Sequence, residues 1–252
     1  MIDLHGQYAL VTGGSRGIGE ATAMILAKAG ANVAIQYAKD ARKARAVVQR
    51  IAQLGRKAIA LKASLERPEE AKRVAEQTLA AFGRIDILVN SAGIWESGAI
   101  GEMSSAQWRR TIEVNLDGTY HMCAAVVASM KKRKYGRIVN ISSTAGQRGE
   151  AQHSHYAASK GGIIAFTKSA AVELAPFGIQ VNCVAPGWVD TQMVATVMSN
   201  ARERRTIERS IPRGKVASAE EIAGPVLFLC SPLSDHVVGE ILNVNGGSVL
   251  CG

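Results

Sequence analysis

The sequence predicts an α/β fold built on a doubly wound parallel sheet. Short apolar segments alternate with amphipathic helical segments along the whole chain, which is typical of successive βαβ units. A glycine-rich turn at 13–19 leads straight from the first apolar segment into a helical one. Residues 85–89 are apolar except for Asp86, as expected for a strand that helices cover on both faces. With 252 residues, 47% of them hydrophobic, and no linker or internal repeat, residues 1–252 are expected to fold as a single domain.

In the first half of the chain, apolar runs predict strands, and apolar residues spaced three and four apart predict helices. The predicted strands are 8–11, 33–37, 57–62 and 85–89. The predicted helices are 20–29, 39–54 and 68–82. Gly30 and Gly55 end the first two helices, and Pro68 stands in the first turn of the third.

The second half of the chain continues this alternation. A long helical region over 104–132, in one or two pieces, precedes a buried strand. A polar loop that contains glycine follows this strand, and the next helix carries Tyr156 and Lys160 and ends near Ala175. The remaining predicted strands are 137–141, 179–184 and 241–244, and the remaining helical segments are 188–213, which is irregular, and 218–230.

The charge of the chain is strongly positive, with a formal net charge of +9 and an isoelectric point of about 9.6. The densest basic clusters lie at 131–134 and 202–209. They indicate either an anionic partner (a phosphorylated cofactor, an acidic carrier protein or nucleic acid) or a solvated basic surface, which is preferred for most of these residues. Aromatic residues make up only 5% of the chain and do not interleave with the basic runs, so no nucleic-acid partner is expected.

The location of the protein is indicated by what its sequence lacks. The first residues do not resemble a signal peptide, and no apolar run approaches the ~18 residues of a transmembrane helix. Cys123, Cys183, Cys230 and Cys251 form no C-x-x-C or Cys/His cluster, and two of them lie in apolar segments. We therefore expect buried reduced thiols, no metal site, no membrane partner and a cytoplasmic location.

Gly13, Gly17 and Gly19 lie between a strand and a helix, where they allow a tight turn that no side chain blocks. The N-terminus of the following helix offers free N–H groups and the positive end of the helix dipole to a pyrophosphate. The spacing is G-x-x-x-G-x-G rather than the commoner G-x-G-x-x-G, and glycines also serve ordinary close packing of a strand and a helix. Because the turn follows the first strand of a βαβ series, we expect a Rossmann-like three-layer sandwich that binds a dinucleotide.

The end of the second strand indicates which dinucleotide is bound. An Asp or Glu about 20 residues beyond the glycine turn binds the ribose 2′-hydroxyl of NAD, whereas basic residues accommodate the 2′-phosphate of NADP. Residues 35–39 contain no acid. Arg16 stands in the glycine turn, and Lys39 or Arg42 can assist it; the alternative for Arg16 is a solvent-facing charge. The missing acid favours NADP(H).

Tyr156 and Lys160 are four residues apart on one helix, and residues at this spacing share a helix face. A free tyrosine, with a pKa of about 10, exchanges protons poorly near neutral pH. An ammonium about 6 Å away is expected to lower that pKa by about two, close to the range of general acid–base catalysis. Ser143, at the end of the preceding strand, is placed to hydrogen-bond the oxygen whose proton moves. Taken alone, Y-x-x-x-K is also common in ordinary helices.

Six motifs follow one another along the chain. They are Thr12-Gly13-x-x-x-Gly17-x-Gly19, Asn90-Ser91-Ala92-Gly93, Asn115, Ser143, Tyr156-x-x-x-Lys160 and Pro186-Gly187. In this combination and order the chain resembles the short-chain dehydrogenase/reductase family, over essentially its whole length. Within that family it is most similar to the 3-oxoacyl-(acyl-carrier-protein) reductase type.

The resemblance implies a role for each catalytic residue. Tyr156 would protonate the substrate carbonyl oxygen while NADPH delivers hydride to carbon, and Ser143 would orient that oxygen. Lys160 would lower the pKa of the tyrosine and hold the nicotinamide ribose. Asn115 would hold a water in a proton relay to Lys160, whereas on its residue type alone a locally bonded helix Asn is favoured.

The resemblance also implies a set of cofactor contacts. These are Gly13, Ser15, Arg16, Gly17, Ile18, Gly19, Tyr37, Lys39, Ser64, Leu65, Asn90, Ala92, Gly93, Tyr156, Lys160, Pro186, Gly187 and Thr191. Ser64 stands where many members carry an Asp that faces the adenine, and Ser91 stands where the family usually has a second Asn.

The implied reaction is the NADPH-dependent reduction of a ketone to a secondary alcohol by a homotetramer, with a 3-oxoacyl thioester as the leading substrate. Residues 188–213 would form a lid over the substrate. The residues that would border the catalytic tyrosine, as an acyl or aryl pocket or as packing under the lid, are Trp95, His153, Trp188, Met193 and Met198. The basic cluster 131–134 suits an acidic carrier protein, but Phe177 stands where carrier-dependent relatives tend to have a second basic residue.

Two alternatives stay open. One is a reductase or dehydrogenase of free ketones, sugars or polyols. The other is a dinucleotide-binding regulator without catalysis, but a binding protein would have no need of the complete set Ser143, Tyr156, Lys160 and Asn115.

Overall fold

Seven strands form one parallel sheet in the computed structural model, which describes residues 2–251. They are β1 (Tyr8–Thr12), β2 (Asn32–Tyr37), β3 (Ala58–Lys62), β4 (Ile87–Asn90), β5 (Gly136–Ile141), β6 (Ile179–Pro186) and β7 (Ile241–Val244). Their spatial order is β3-β2-β1-β4-β5-β6-β7, so the winding of the chain reverses between β1 and β4. Open α/β sheets bind ligands outside the carboxyl ends of their strands at such a reversal. The predicted doubly wound parallel sheet is confirmed.

Helices cover both faces of this sheet. They are α1 (Gly17–Lys28), α2 (Ala41–Gln53), α3 (Pro68–Phe82), α4 (Ser105–Ile112), α5 (Gly118–Arg133), α6 (Thr144–Arg148), α7 (Ser154–Leu174), α8 (Ala195–Ser199), α9 (Ala201–Ser210) and α10 (Ala219–Leu229). A π-helical turn, Glu113–Asp117, joins α4 to α5, and a 3₁₀ turn, Gln192–Val194, precedes α8. Side-chain caps start several helices: Asp40 accepts from a backbone N–H of α2, and Ser218 forms a capping box with Glu221 on α10.

Most predicted elements agree with the structure to within one to three residues at each end. Helix α3 and strand β7 have the predicted bounds. The long helical region is divided in two by the π-helical turn, and the irregular segment 188–213 consists of a 3₁₀ turn and two short helices. Helix α6 lies where a loop was predicted, because five residues are too few to show helical periodicity.

The core divides into two layers because successive residues of each strand face opposite sides of the sheet. On β1, Ala9 and Val11 pack with the layer that includes Leu26 of α1 and Val226 of α10. Leu10 lies between them and packs with the layer that includes Val126 of α5. A third, smaller apolar cluster lies away from the sheet and is formed by Val194, Met198, Ile211 and Val216.

Helix α7 is fixed against the end of β5 by a close crossing with α6. A Cβ atom on Gly146 would lie 2.5 Å from the carbonyl carbon of Lys160 and 2.7 Å from the backbone nitrogen of Gly161. At this crossing the Ser142 hydroxyl donates to the carbonyl oxygen of Lys160 at 2.8 Å, and Lys160 Nζ donates to the carbonyl oxygen of Ile141 at 2.8 Å. The end of β5 and the helix that carries Tyr156 are therefore held in one geometry.

Two further expectations concern membrane-spanning helices and the burial of the cysteines. Within residues 2–251, no helix combines the length and the hydropathy needed to cross a membrane. All four cysteines are free; Cys123, Cys183 and Cys230 are buried, as expected, whereas Cys251 is exposed.

Replacing Gly146 by Ala should lower the free energy of unfolding by about 1–3 kcal/mol, because the added methyl group meets the backbone of α7 and overpacks the crossing. Urea denaturation followed by circular dichroism measures this change. Gln49→Ala, at an exposed position of α2, is the control and should stay within about 0.5 kcal/mol of the wild type. Equal stability of the two variants would show that the crossing tolerates a side chain.

Candidate active site

A cleft opens at the carboxyl ends of β1, β4, β5 and β6, next to the reversal of the sheet order. It brings together many of the predicted site residues. Those that line it are Gly13, Arg16, Gly17, Ile18, Gly19, Gly93, Ser143, Tyr156, Lys160, Pro186, Gly187 and Thr191. The glycine turn and the residues at the end of β5 therefore face one space, although more than a hundred residues separate them in the sequence.

The turn is packed so closely at Gly13 and Gly19 that a side chain would not fit at either position. A Cβ atom on Gly19 would lie 2.4 Å from the carbonyl oxygen of Gly13, and Gly13 itself has a φ of +63° with Ala92 against it. Gly17, the first residue of α1, has a φ of +55° and lies beside Thr191. The turn thus leaves the N-terminus of α1 accessible from the cleft, and this arrangement fits the pyrophosphate of a dinucleotide.

Two buried polar side chains hold the glycine turn in place, and the sequence did not single them out for this task. Gln36 Oε1 accepts from the backbone N–H of Gly13 at 3.0 Å, while its Nε2 donates to the carbonyl oxygen of Ala63 at 2.7 Å. Thr12 Oγ1 accepts from the backbone N–H groups of Ser91 and Ala92, both at 3.0 Å. The one available signal was a polar Gln directly after the apolar residues 33–35 of β2.

Ser143, Tyr156 and Lys160 meet at the inner end of the cleft. Ser143 is the N-cap of α6, where its Oγ accepts from the N–H of Ala145 at 3.1 Å, and this bond fixes the hydroxyl at the end of β5. Tyr156 and Lys160 are 8% and 6% exposed, so both functional groups are removed from bulk water. Lys160 Nζ lies 5.7 Å from the centre of the Tyr156 ring. The predicted sharing of one helix face is confirmed.

The predicted effect of Lys160 on Tyr156 is wrong. Burial raises the pKa of Tyr156 to about 12, the neighbouring Ser143 hydroxyl offsets this in part, and the negative charge of Glu150 adds to it. Burial also lowers the pKa of Lys160 to about 8. The prediction considered only the ammonium, whereas removal of the phenol from water is the largest influence, because a buried phenolate loses its hydration. The phenol is therefore a protonated group at neutral pH.

Asn115 lies behind the cleft in the π-helical turn. Its Oδ1 accepts from the N–H of Ile94 at 2.8 Å, and its Nδ2 donates to the carbonyl oxygen of Ile94 and to Ser159 Oγ. A Cβ atom on Gly93 would lie 3.2 Å from Asn115 Oδ1 and 3.7 Å from Lys160 Nζ, so the two side chains approach Gly93 together. Single π-helical turns of this kind are frequent at functional sites.

The remaining predicted cofactor residues do not line the cleft. They are Ser15, Tyr37, Lys39, Ser64, Leu65, Asn90 and Ala92. Asn90 in particular is buried, and its Nδ2 donates to Asn140 Oδ1 at 2.9 Å and to Cys123 Sγ at 3.3 Å. Its side chain therefore joins β4 to β5 and α5, away from the cleft.

The outer part of the cleft has an aromatic wall. Trp95, Trp188 and Met193 line it, which agrees with the pocket alternative, and Trp95 and Trp188 also pack against the small apolar cluster of the segment 188–213, which agrees with the packing alternative. His153 is stacked on Trp95 with ring centres 4.3 Å apart, and Trp188 meets Trp95 edge-on at 6.0 Å. His153 and Met198 lie outside the lining: the first supports Trp95, and the second belongs to the small apolar cluster of the segment 188–213.

Several lining residues were missed by the sequence analysis. Arg148 is the last residue of α6 and Glu150 follows this helix, where the sequence has no periodic signal, and Gln192 lies in the 3₁₀ turn before α8. Among residues 2–251, no group of three or more His, Cys, Asp or Glu side chains is arranged to hold a metal ion.

Known proteins resemble this chain over nearly its whole length. A family model described as enoyl-(acyl carrier protein) reductase matches residues 13–248. A 3-oxoacyl-[acyl-carrier-protein] reductase of Synechocystis sp. is 41% identical over 251 residues, which are 99% of this chain and 100% of the relative. The corresponding reductase FabG of Escherichia coli is 39% identical over 246 residues, 98% of each chain.

Solved structures are similar over the same length. A putative gluconate dehydrogenase from Agrobacterium tumefaciens superposes with a TM-score of 0.94 at 35% identity, with 98% of each chain covered. A putative NAD(P)-dependent gluconate 5-dehydrogenase from Beutenbergia cavernae, which contains bound NADP at low occupancy, gives 0.93 at 37% identity with the same coverage.

Proposed function

Because the chain belongs to the short-chain dehydrogenase/reductase family of oxidoreductases, we propose that it reduces a ketone to a secondary alcohol with NADPH. The observation that carries this proposal is the meeting of Ser143, Tyr156 and Lys160 with the glycine turn in one cleft. The complete set of groups favours catalysis over the regulator alternative. The reductase FabG and its relatives, at about 40% identity over the full length, support the 3-oxoacyl reductase type.

The chemistry is divided between the cofactor and the chain. NADPH, when bound, supplies a hydride to the carbonyl carbon. Tyr156 donates its proton to the carbonyl oxygen, and Ser143 Oγ holds that oxygen by a second hydrogen bond. A phenol whose pKa is about 12 keeps its proton at neutral pH, yet it still gives it to an alkoxide, which is a far stronger base than a phenolate. These properties suit Tyr156 to the role of proton donor.

Lys160 and Asn115 complete the proton path in this proposal. The Lys160 ammonium, with a pKa of about 8, is close enough to ambient pH to give up a proton and regain it. Its bond to the carbonyl oxygen of Ile141 fixes it under the ring of Tyr156, and Asn115 lies next to it across Gly93. We assign Asn115 the positioning of the group that returns a proton to Lys160.

Residues of the cleft fit NADP(H). The bare N-terminus of α1 would hold the pyrophosphate, and Gly93, Pro186, Gly187 and Thr191 border the space between it and Tyr156. The end of β2 carries no acid that would select the ribose hydroxyls of NAD, and Arg16 stands at the mouth of the cleft. A structural neighbour at 37% identity contains bound NADP.

The proposed substrate is a 3-oxoacyl thioester, on a carrier protein or coenzyme A, with segment 188–213 as its lid. The names of the relatives that match the whole chain support it. The apolar wall formed by Trp95, Trp188 and Met193 suits an acyl chain.

One observation favours a free carbonyl compound as a second candidate. Lys131 Nζ lies 4.3 Å above the ring of Phe177 and 4.0 Å from Glu173 Oε1, so its charge is already engaged within the chain. This weakens the cluster 131–134 as a docking site for an acidic carrier protein. Two of the structural neighbours are named as putative dehydrogenases of gluconate, which is a free carbonyl or hydroxyl compound rather than a thioester.

A homotetramer in the cytoplasm completes the proposal. Tyr120 on α5 and Val172 on α7 are 55% and 78% exposed, and such apolar side chains on neighbouring helices suit an interface between copies. The three buried free thiols suit a reducing compartment.

The substrate class is tested by comparing acetoacetyl-CoA with a panel of free ketones and keto acids under saturating NADPH. We expect turnover of the thioester with the higher kcat/KM. Fast turnover of a free ketone without turnover of the thioester would contradict the thioester proposal and support the second candidate.

Tyr156→Phe should lose about 10²–10⁴-fold in kcat, because the proton donor is removed while the ring and its packing stay. Binding of NADPH, measured by fluorescence titration, should be unchanged. The control is Tyr8→Phe at the first residue of β1, at the end of the strand opposite the cleft, which should keep full activity. Full turnover by Tyr156→Phe would refute the assigned role.

The rate of reduction should fall as the pH rises past about 8. Burial lowers the pKa of Lys160 from its ordinary value of 10.5 to about 8, so its charge is present below that pH and lost above it, whereas Tyr156 keeps its proton throughout. Measuring kcat between about pH 6 and pH 10 tests this, since loss of an acid that must be protonated lowers the rate. Lys160→Arg should remove the inflection because its guanidinium stays charged; a wild-type rate that is constant across the range would contradict the role of Lys160.

A further inference from the structure

One face of helix α9 fixes the helix beside the outer part of the cleft. Ile207 on this face packs against the small apolar cluster. Arg204 Nε donates to Glu208 Oε1 at 3.0 Å, and its Nη1 lies 3.4 Å from Asp190 Oδ2. Asp190 comes two residues after Trp188, which lines the cleft. A partner bound to the outer face of α9 would therefore lie next to the mouth of the cleft.

The outer face of α9 carries a row of arginines. Arg202, Arg205 and Arg209 are three and four residues apart, so they are neighbours on one side of the helix, and all three are exposed. Within residues 2–251, every ion pair of α9 involves Arg204. The three guanidinium groups, which we call the arginine stripe, thus have no acid that balances their charge.

The stability of α9 does not account for the arginine stripe. Arg202 lies in the first turn of the helix, where the positive end of the helix dipole disfavours a cation. Arg205 and Arg209 are like charges four residues apart, and such pairs destabilise a helix. An anionic partner would relieve both effects, so the stripe is suited to binding one.

The class of the partner follows from the reaction, and this step rests on the proposed reduction of a carrier-bound thioester. A carrier protein must dock beside the cleft so that its thioester can reach Tyr156. The cluster 131–134 suits this task poorly, because Lys131 already contacts Phe177 and Glu173. Two relatives over the whole chain are named as 3-oxoacyl-[acyl-carrier-protein] reductases. Residues 201–210 contain no aromatic side chain on which a nucleic-acid base could stack.

We propose that the arginine stripe on α9 is the docking surface for an acidic acyl carrier protein. From Arg202 to Arg209 the stripe extends for about 10 Å along the helix axis, at 1.5 Å per residue, which matches about two turns of an acidic helix on the partner. Guanidinium groups form two parallel hydrogen bonds with a carboxylate, so they orient the partner as well as attract it. The carrier is held by the segment 188–213, next to the opening through which its acyl group enters.

The test measures binding of butyryl-loaded acyl carrier protein, which has no keto group to reduce, by fluorescence anisotropy. The triple variant Arg202→Gln, Arg205→Gln and Arg209→Gln should raise the Kd about 5- to 50-fold at low salt, because three cations are lost. This difference should disappear in about 1 M salt, where charges are screened within about 3 Å. The variant should reduce the uncharged thioester acetoacetyl-N-acetylcysteamine with the wild-type kcat/KM, which shows that it is folded.

The matched control removes the same charge from the rival basic cluster, by Lys131→Gln, Lys132→Gln and Lys134→Gln, and should leave the Kd of the carrier within about twofold of the wild type. The proposal is overturned if both triple variants weaken the carrier equally, or if the wild type does not bind it. It is also overturned if the KM for acetoacetyl-CoA rises as much as the Kd of the carrier, because the arginines would then bind phosphates. Tighter binding of a single-stranded oligonucleotide than of the carrier would overturn it as well.

Failure of the proposed function gives a different result. A wild type that binds the carrier through the arginine stripe but reduces no thioester would refute the proposed reaction and leave the docking surface in place. Turnover of acetoacetyl-N-acetylcysteamine without carrier binding would do the reverse.

Discussion

The site depends on one packing constraint, the close crossing of α6 and α7 at Gly146. Because no side chain separates the helices there, the Lys160 backbone can reach Ser142 and the Lys160 ammonium can reach the carbonyl oxygen of Ile141. These bonds tie the end of β5 to α7. Ser143 and Tyr156, which belong to different elements, are consequently presented to the same part of the cleft, where the Ser143 hydroxyl is close enough to interact with the phenol.

Burial then decides the chemistry that this arrangement can perform. The i, i+4 relation of Tyr156 and Lys160 suggested attraction between an ammonium and a phenolate, but both groups lie in a dry environment that penalises charge. The pKa of the tyrosine rises to about 12 and that of the lysine falls to about 8. A neutral phenol next to an easily deprotonated amine is suited to giving a proton to a substrate and receiving one back, and this is what reduction of a carbonyl group requires.

The fold was predictable because its signals are local. The strand and helix periodicities, the glycine turn and the helix caps each involve residues that are only a few positions apart in the sequence. The spacing of Gly13 and Gly19 predicts the turn, and the spacing of Tyr156 and Lys160 predicts that their side chains share a helix face. What could not be predicted depends on contacts between distant segments. The bonds of Gln36 to the glycine turn, and the hydrogen bond that Lys43 donates to Gln192, exist only after the sheet has assembled. The pKa values of Tyr156 and Lys160 could not be predicted either, because the spacing in the sequence gives the distance between the two groups but not how far each is removed from water.

The central claim, that Tyr156 is a buried, protonated phenol, is tested most directly by its own ionisation. Ultraviolet difference spectra between the wild type and Tyr156→Phe isolate this one tyrosine among the five in the chain. The account predicts no phenolate signal from Tyr156 up to at least about pH 10, at which an ordinary tyrosine is half ionised. A signal that appears with a midpoint near pH 8 would contradict it, because the lysine rather than burial would then control the phenol.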